Sequence, residues 1–376
     1  MNELCAPGSI DTLRPLIDSA DPAAVLVFTG GRSYKGSGAA SVVDDALHGR
    51  SVSFIRDIPA DPDAGNVNDA ISVFRSEPPD LVIAIGGGSV IDLAKAVRVL
   101  APITRDAALF LTGERSIQHP GPPMIAVPTT AGTGSEATRY AVFTVGGQKR
   151  PMAHEHLLPE SVILDPELTY SLPPAVTAST GLDALAQAME SMWSTRSTDA
   201  SYSDARTALR LALDHLENAV HSPTPESRAA MCAAAHLAGR AIDVSATTAP
   251  HALSFHLTTE YGVPHGHAVA LTLGATLEYN AAVSDADCAD RRGSDHVRTA
   301  MADVLDLLGV ATPEEGRHLL DLLVGDLALE PTLAGVGVVS TDQRRRLAAS
   351  ASPIRMATNP RRFDEPSLQE LIASIA

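Results

Sequence analysis

An α/β half followed by an all-helical half is the fold class this chain predicts. Three observations carry the prediction. Short β-branched runs alternate with helical patterns through the first part of the chain, glycine-rich turns follow two of those runs, and long alanine- and leucine-rich segments fill the remainder.

The strand candidates, in order, are residues 24–28 (AVLVF), 51–55, 81–85 (LVIAI), 124–127 and 161–164. Apolar runs of this length, separated by helices, predict a parallel sheet covered on both faces. The texture changes after Ser171-Leu-Pro-Pro174, and segments 204–220, 225–242 and 297–308 keep a helical period without a convincing strand. The expected division is therefore residues 1–178 for the α/β domain and 179–376 for the helical domain.

Composition narrows the function. The 376 residues carry 28 basic and 45 acidic side chains, a formal net charge of −17, which excludes nucleic-acid or anionic-membrane binding through bulk attraction. With 45% hydrophobic and 19% charged residues, the chain can bury a large core, and disorder as the main state is excluded. No run approaches the ~18 apolar residues of a membrane span, and residues 1–7 lack the basic stretch and apolar core of a signal peptide, so a cytoplasmic location is expected. Cys5, Cys232 and Cys288 are few and widely spaced, which fits a reducing compartment and supports neither a disulfide framework nor a zinc cluster.

Two loops suggest a dinucleotide. In Leu81-Val-Ile-Ala-Ile-Gly-Gly-Gly-Ser-Val-Ile-Asp-Leu-Ala-Lys95, a buried strand leads through Gly86, Gly87 and Gly88 into a helix starting near Ser89. Glycines let the backbone approach a diphosphate, and the helix-start amides favour its charge. The second loop, Pro128-Thr-Thr-Ala-Gly-Thr-Gly-Ser-Glu136, also follows a strand and offers the hydroxyls of Thr129, Thr130, Thr133 and Ser135.

The motifs GGGSxxDxAK, PTTAGTGSEAT, TGLDALAQAMES and HALSFHLTTEYGVPHGHA, with the C-terminal Asn359-Pro-Arg361, together resemble the iron-activated (group III) alcohol dehydrogenase family. That resemblance covers nearly the whole chain. It implies a dehydroquinate-synthase-like fold, with a Rossmann-type dinucleotide-binding domain and a helical metal and substrate domain. It also implies hydride transfer between a nicotinamide and an alcohol or aldehyde carbon, with a divalent metal (Fe2+ or Zn2+) polarising the oxygen, and a homo-oligomer, a dimer or larger. Asp92 joins the expected nucleotide-binding residues through the first motif.

The resemblance carries the metal to Asp183, His251 and His265, with Gln187 where the family usually has histidine. Residues i and i+4 share a helix face, and the turn Tyr261-Gly-Val-Pro264 returns the chain toward His265. A glutamine carbonyl is an oxygen donor that replaces an imidazole suited to iron and zinc, so weaker binding or loss of the metal both remain open. Phe255 occupies the position where a proton-relay histidine often stands in the family. His256 and His267 are nearby, and His267 is the expected catalytic acid alongside Asp183.

Nucleotide choice is expected from the turn Phe28-Thr-Gly30-Gly31-Arg32-Ser33-Tyr-Lys35, which contains no carboxylate. Gly30, Gly31 and Ser33, with the cations Arg32 and Lys35, would suit a 2′-phosphate, so NADPH is expected and NADH tolerated.

The phrases around Gln187 and His251 resemble the phosphonoacetaldehyde reductase branch, which implies a small anionic aldehyde reduced to 2-hydroxyethylphosphonate in phosphonate natural-product biosynthesis. Arginine forks suit phosphonate oxygens, and Arg139 and Arg196 are the expected substrate contacts. Lys149 and Arg150 lie on a predicted hairpin, and Thr247 and Thr248 add hydroxyls near His251. Three alternatives stand beside this reading: a general short-chain alcohol, aldehyde or hydroxyacid dehydrogenase of the same family, a dehydroquinate-synthase-like lyase, and a non-catalytic relative.

Overall fold

The computed structural model describes residues 2–375, with the Arg32 side chain outside the described residues. The chain divides into two compact units between Leu172 and Pro173.

The first unit carries strands β1 (Asn2–Cys5), β2 (Ala24–Thr29), β3 (Ser51–Ile55), β4 (Leu81–Gly86), β5 (Met124–Pro128), β6 (Tyr140–Val145), β7 (Gln148–Ala153) and β8 (Ser161–Leu164). Its helices are α1 (Leu13–Ala20), α2 (Arg32–Gly36), α3 (Ala39–Ala46), α4 (Ala64–Ser76), α5 (Gly88–Leu100) and α6 (Ala108–Leu111). Six strands form a parallel sheet in the order β1-β8-β5-β4-β2-β3, while β6 and β7 pair as an antiparallel hairpin. The continuous apolar run of β4 is explained by this burial. Leu81, Ile83 and Ile85 enter one core with α1 and α3, and the alternate Val82 and Ala84 enter a second core with α4 and α5. The sequence did not announce β1: it is an edge strand with exposed Asn2, Glu3 and Cys5, so no apolar run marks it.

One buried cation organises this unit. The Lys95 ammonium, fully buried on α5, donates to the carbonyls of Ser135, Thr138 (2.8 Å) and Tyr140 (2.8 Å). Nearby, Asp92 accepts from Ser135 Oγ (2.5 Å) and Val142 N (2.9 Å). This knot fixes the second glycine-rich loop against α5. Lys95→Met would strand buried carbonyls, and a loss of about 3–5 kcal/mol is expected in urea unfolding; a loss under about 1 kcal/mol would remove Lys95 from this role.

The second unit is helical: α7 (Pro174–Trp193), α8 (Asp199–His221), α9 (Pro225–Ser245), α10 (Ala249–Tyr261), α11 (His265–Ala281), α12 (Ser294–Leu308), α13 (Pro313–Asp326), α14 (Thr341–Ala349), α15 (Pro353–Met356) and α16 (Glu365–Ser374). From Thr177 to Trp193, α7 is buried on nearly every side and packs against α8, α9 and α11, as a central core helix must. Polar residues on such a helix must be paired, which makes Asp183, Gln187 and Glu190 informative. Among the described residues no helix is long and apolar enough to cross a membrane.

Candidate metal centre and nucleotide loops

Asp183, Gln187 and Glu190 lie at i, i+4 and i+7 on α7, hence on one face, and all three are buried. Facing them, α10 starts at Ala249 after the N-cap Thr248. One Glu190 oxygen accepts from Thr248 N (2.7 Å) and Thr248 Oγ1 (3.0 Å), while the other engages His251 Nδ1. A carboxylate at a helix N-terminus is favoured by the unpaired amides there. With Nδ1 held by Glu190, His251 turns Nε2 toward Asp183 Oδ1, 3.2 Å away.

The third member arrives through a sharp return. Helix α10 ends on Gly262, whose φ of 67° is the left-handed conformation glycine adopts without cost, and Pro264 caps α11. His265 Nε2 then lies 3.9 Å from Asp183 Oδ1. Gly266 permits the approach: a Cβ there would sit 1.9 Å from the Ser179 carbonyl oxygen and 2.8 Å from Asp183 Cβ. The donor atoms of Asp183, His251 and His265 all lie within 4.8 Å of one another.

Charge in this cluster is mutually set. Burial works to raise the Asp183 carboxyl, but His265, the hydrogen bonds from His251 and Gln187, and the His251 charge outweigh it and hold the group below the usual range. Burial works to lower His251, yet Glu190 and Asp183 overcome it and push the imidazole up to about 9. The donor set suits a divalent cation. It offers an anionic oxygen, an amide that reaches the same carboxylate, and two imidazoles, one of which has its far nitrogen fixed by a carboxylate as metal-binding histidines usually do.

Not every expected residue joins this group. His267 stands two residues, or roughly 200° of helix, past His265, and its Nε2 donates to the Glu330 carbonyl at 2.7 Å. His256 packs edge-on against Tyr261, and burial lowers its pKa. Arg196 is exposed beyond the end of α7, about 15 Å of helix from Asp183. Arg139 is exposed in the first unit, Lys149 pairs with Asp61 at 2.7 Å, and exposed Arg150 donates to Gln148. Thr248 belongs to the Glu190 network, with Trp193 Nε1 donating to its Oγ1 at 2.9 Å, while the Thr247 carbonyl accepts from Thr358 Oγ1. Glu190 and Gly266 are the residues sequence reasoning passed over. The i, i+4, i+7 spacing from Asp183 was the available signal for Glu190.

In the first unit the expected nucleotide residues form two touching loops. Gly87, the α5 N-cap, has no side-chain cap; a Cβ at Gly87 would meet Thr130 at 3.3 Å, and one at Gly88 would meet Thr133 at 2.8 Å. The Thr129 hydroxyl is buried without a hydrogen-bond partner. Ser89 Oγ accepts from Asp61 N (3.2 Å), and Asp92 and Ser135 are bonded to each other. At the β2 turn, Gly30 lies against Ser33, whose Oγ would be 2.6 Å from a Cβ there, and Lys35 is exposed. Beside Gly31 stands a carboxylate that the turn itself lacks. Asp57, just beyond β3 with φ 55°, puts Oδ1 2.7 Å from where a Gly31 Cβ would be.

Comparison with known proteins places this geometry. The family model for iron-containing alcohol dehydrogenase matches residues 3–166, and the C-terminal model of the Fe-containing alcohol dehydrogenase family matches residues 177–376. A phosphonoacetaldehyde reductase from Streptomyces viridochromogenes is 36% identical over 327 residues, covering 85% of this chain and 81% of that protein. Long-chain-alcohol dehydrogenase 1 from Geobacillus thermodenitrificans is 32% identical over 370 residues, covering 92% and 90%. The crystal structure of sulfoacetaldehyde reductase from Bifidobacterium kashiwanohense in complex with NAD+ superposes with a TM-score of 0.88 at 28% identity, covering 100% of this chain and 97% of that one. With both halves matched by its models and relatives aligned along most of its length, the chain belongs to the iron-containing alcohol dehydrogenase family and is an oxidoreductase.

Proposed function

We propose that this protein reduces a small anionic aldehyde to its primary alcohol with a reduced nicotinamide dinucleotide, phosphonoacetaldehyde to 2-hydroxyethylphosphonate being the favoured reaction. The observation that carries the reading is the Asp183–His251–His265 cluster, with Asp183 and His251 buried, His265 half-buried and Gln187 beside it, in a chain 36% identical to a phosphonoacetaldehyde reductase.

Asp183, Gln187, His251 and His265 would hold the divalent metal. A bound cation supplies a Lewis acid for the carbonyl oxygen, and a reduced nicotinamide supplies the hydride. The chain's own residues prepare both. Glu190 fixes the His251 tautomer and ring direction, Gly266 lets the start of α11 close on α7, and the uncapped start of α5 with the Thr129 hydroxyl presents donors to a diphosphate. His267 commits its Nε2 proton to the Glu330 carbonyl, so solvent protonates the product oxygen.

Asp57 favours NADH over the NADPH expected from the turn sequence. A carboxylate beside Gly31 accepts from ribose hydroxyls and repels a 2′-phosphate. NADH should exceed NADPH in kcat/KM by about tenfold or more, and Asp57→Ser should narrow the gap by a similar factor; an NADPH preference in the unaltered protein would overturn this assignment.

The reaction is tested by following nicotinamide oxidation with phosphonoacetaldehyde, acetaldehyde and lactaldehyde, with and without ferrous, zinc or manganese ions. A preference for the charged aldehyde of roughly 10–100-fold is expected, the effect of one charge-assisted contact. Equal turnover of all three would favour the general alcohol dehydrogenase. No net nicotinamide oxidation would favour the lyase or the non-catalytic relative.

A further inference from the structure

We infer that Phe255 is a positioning residue for the candidate metal centre: its ring, braced by Arg355, sets the direction in which His265 faces Asp183. The inference rests on the metal-centre reading and extends it to a residue that offers no ligand atom.

Helix position makes different demands on the two imidazoles of the cluster. His251 is buried in the first turn of α10, with Nδ1 engaged by Glu190. His265 is the first residue of α11, directly after the cap Pro264, and its side chain is 30% exposed. A side chain inside a helix is confined to two χ1 wells by the turn that precedes it. The first residue of a helix has no such turn, so neighbouring rings carry more of the constraint. Two rings meet His265. His251 stands edge-on to it, with centroids 5.3 Å apart and planes at 70°, and Phe255 stacks on it, with centroids 6.1 Å apart and planes at 29°. Aromatic pairs at these separations attract one another and favour a defined mutual orientation.

Phe255 is placed by α10 and held from outside it. It follows His251 by four residues and so shares its helix face. The Arg355 guanidinium carbon lies over the Phe255 ring, 4.4 Å from the centroid, the geometry in which a cation is attracted to an aromatic face. The short helix α15 that carries Arg355 is tied back to α10. Thr358 Oγ1 lies 2.6 Å from the carbonyl oxygens of both Arg355 and Thr247, and Ser352 N donates to the Ala252 carbonyl at 3.5 Å. The contacts form a closed circuit. It runs from α10 through Phe255 to Arg355, and returns through Thr358 to the residues just before α10.

The two histidines are thus aligned by different forces. Glu190 acts on His251 through a charged hydrogen bond, whereas Phe255 acts on His265 through ring contact, which does not titrate. A phenyl ring also has no lone pair for a cation, so Phe255 shapes the centre without competing for its occupant. By sequence, Phe255 registers only as an absent histidine. Its contact with His265 gives it a role of its own, and Arg355, 100 residues away, joins it only through folding.

The test uses Phe255→Leu, Phe255→Tyr and Arg355→Met in the full chain, with zinc and cobalt(II) ions as probes. Calorimetry measures affinity, the visible absorption of bound cobalt reports coordination geometry, and melting of the metal-free protein reports the fold. Phe255→Leu should weaken binding of both ions by about five- to tenfold, the effect of one aromatic pair, and should shift the cobalt spectrum. The metal-free melting temperature should stay within about 3 °C of wild type. Phe255→Tyr keeps the ring and should bind within about twofold of wild type, while Arg355→Met should lose about threefold. Combining Arg355→Met with Phe255→Leu should cost no more than Phe255→Leu alone, because the guanidinium acts through the ring. Wild-type affinity and an unchanged cobalt spectrum in Phe255→Leu would overturn the inference and leave the metal centre standing. A loss in Phe255→Tyr equal to that in Phe255→Leu overturns it as well. Failure of the unaltered protein to bind either ion overturns the metal-centre reading beneath it.

Discussion

Asp183→Ala is expected to abolish tight binding of ferrous or zinc ions and to lower turnover by on the order of 10³-fold, the equivalent of several kcal/mol of carbonyl polarisation. Asp183 is the hub of the cluster: His251 Nε2 at 3.2 Å, His265 Nε2 at 3.9 Å and Gln187 all address its carboxylate. Removing it leaves two imidazoles without the anion that balances a bound cation. The candidate nucleotide loops belong to the other unit, so NADH affinity should stay within about threefold of wild type by fluorescence titration. Calorimetric titration with each ion separates loss of metal from loss of fold. Full activity of Asp183→Ala under stringent chelation would refute the metal role.

The second large effect is expected at Glu190. Its buried carboxylate satisfies Thr248 N, Thr248 Oγ1 and His251 Nδ1 together, so Glu190→Ala should cost about 3–5 kcal/mol of stability and weaken metal affinity by about 10–100-fold. The milder Glu190→Gln gives a sharper readout through pH. In the metal-free protein His251 titrates at about 9, above its unfolded value of about 6.5. A raised pKa contributes stability that is fully present below about pH 6.5 and is lost as pH rises through about 9. The metal-free protein should thus lose on the order of 3 kcal/mol across that window, and Glu190→Gln should flatten the decline. Metal binding runs in the opposite sense. The cation must displace the His251 proton, so affinity should rise up to tenfold per pH unit toward pH 9 in the native protein and level off earlier in Glu190→Gln. Identical pH profiles for the two proteins would show that Glu190 does not set the His251 charge.

Much of the architecture was legible in the chain because its signals are local. The strands β2, β4, β5 and β8 declare themselves by apolar runs because they are largely buried, and α8, α9 and α12 declare themselves by period. The edge strand β1 does not, because an exposed strand needs no apolar run. The same distinction governs the site. Asp183, Gln187, His251 and His265 were expected together from the resemblance of the motifs that carry them, and helix spacing with a return turn is compatible with the convergence of Asp183, His251 and His265. Glu190 shares that spacing but reads as an ordinary helix glutamate until Thr248 and His251 are seen to converge on it.

Tertiary structure alone decided which charges stand beside the glycine turn after β2 and beside Phe255. Asp57 reaches Gly31 from the neighbouring strand 26 residues later, and Arg355 reaches Phe255 from a four-residue helix near the end of the chain. His267, two residues after His265, is rotated away to a backbone carbonyl. Periodicity and glycine placement report which backbone forms and which face is buried. Which distant cation or carboxylate meets that face depends on long-range packing, and no local pattern encodes it.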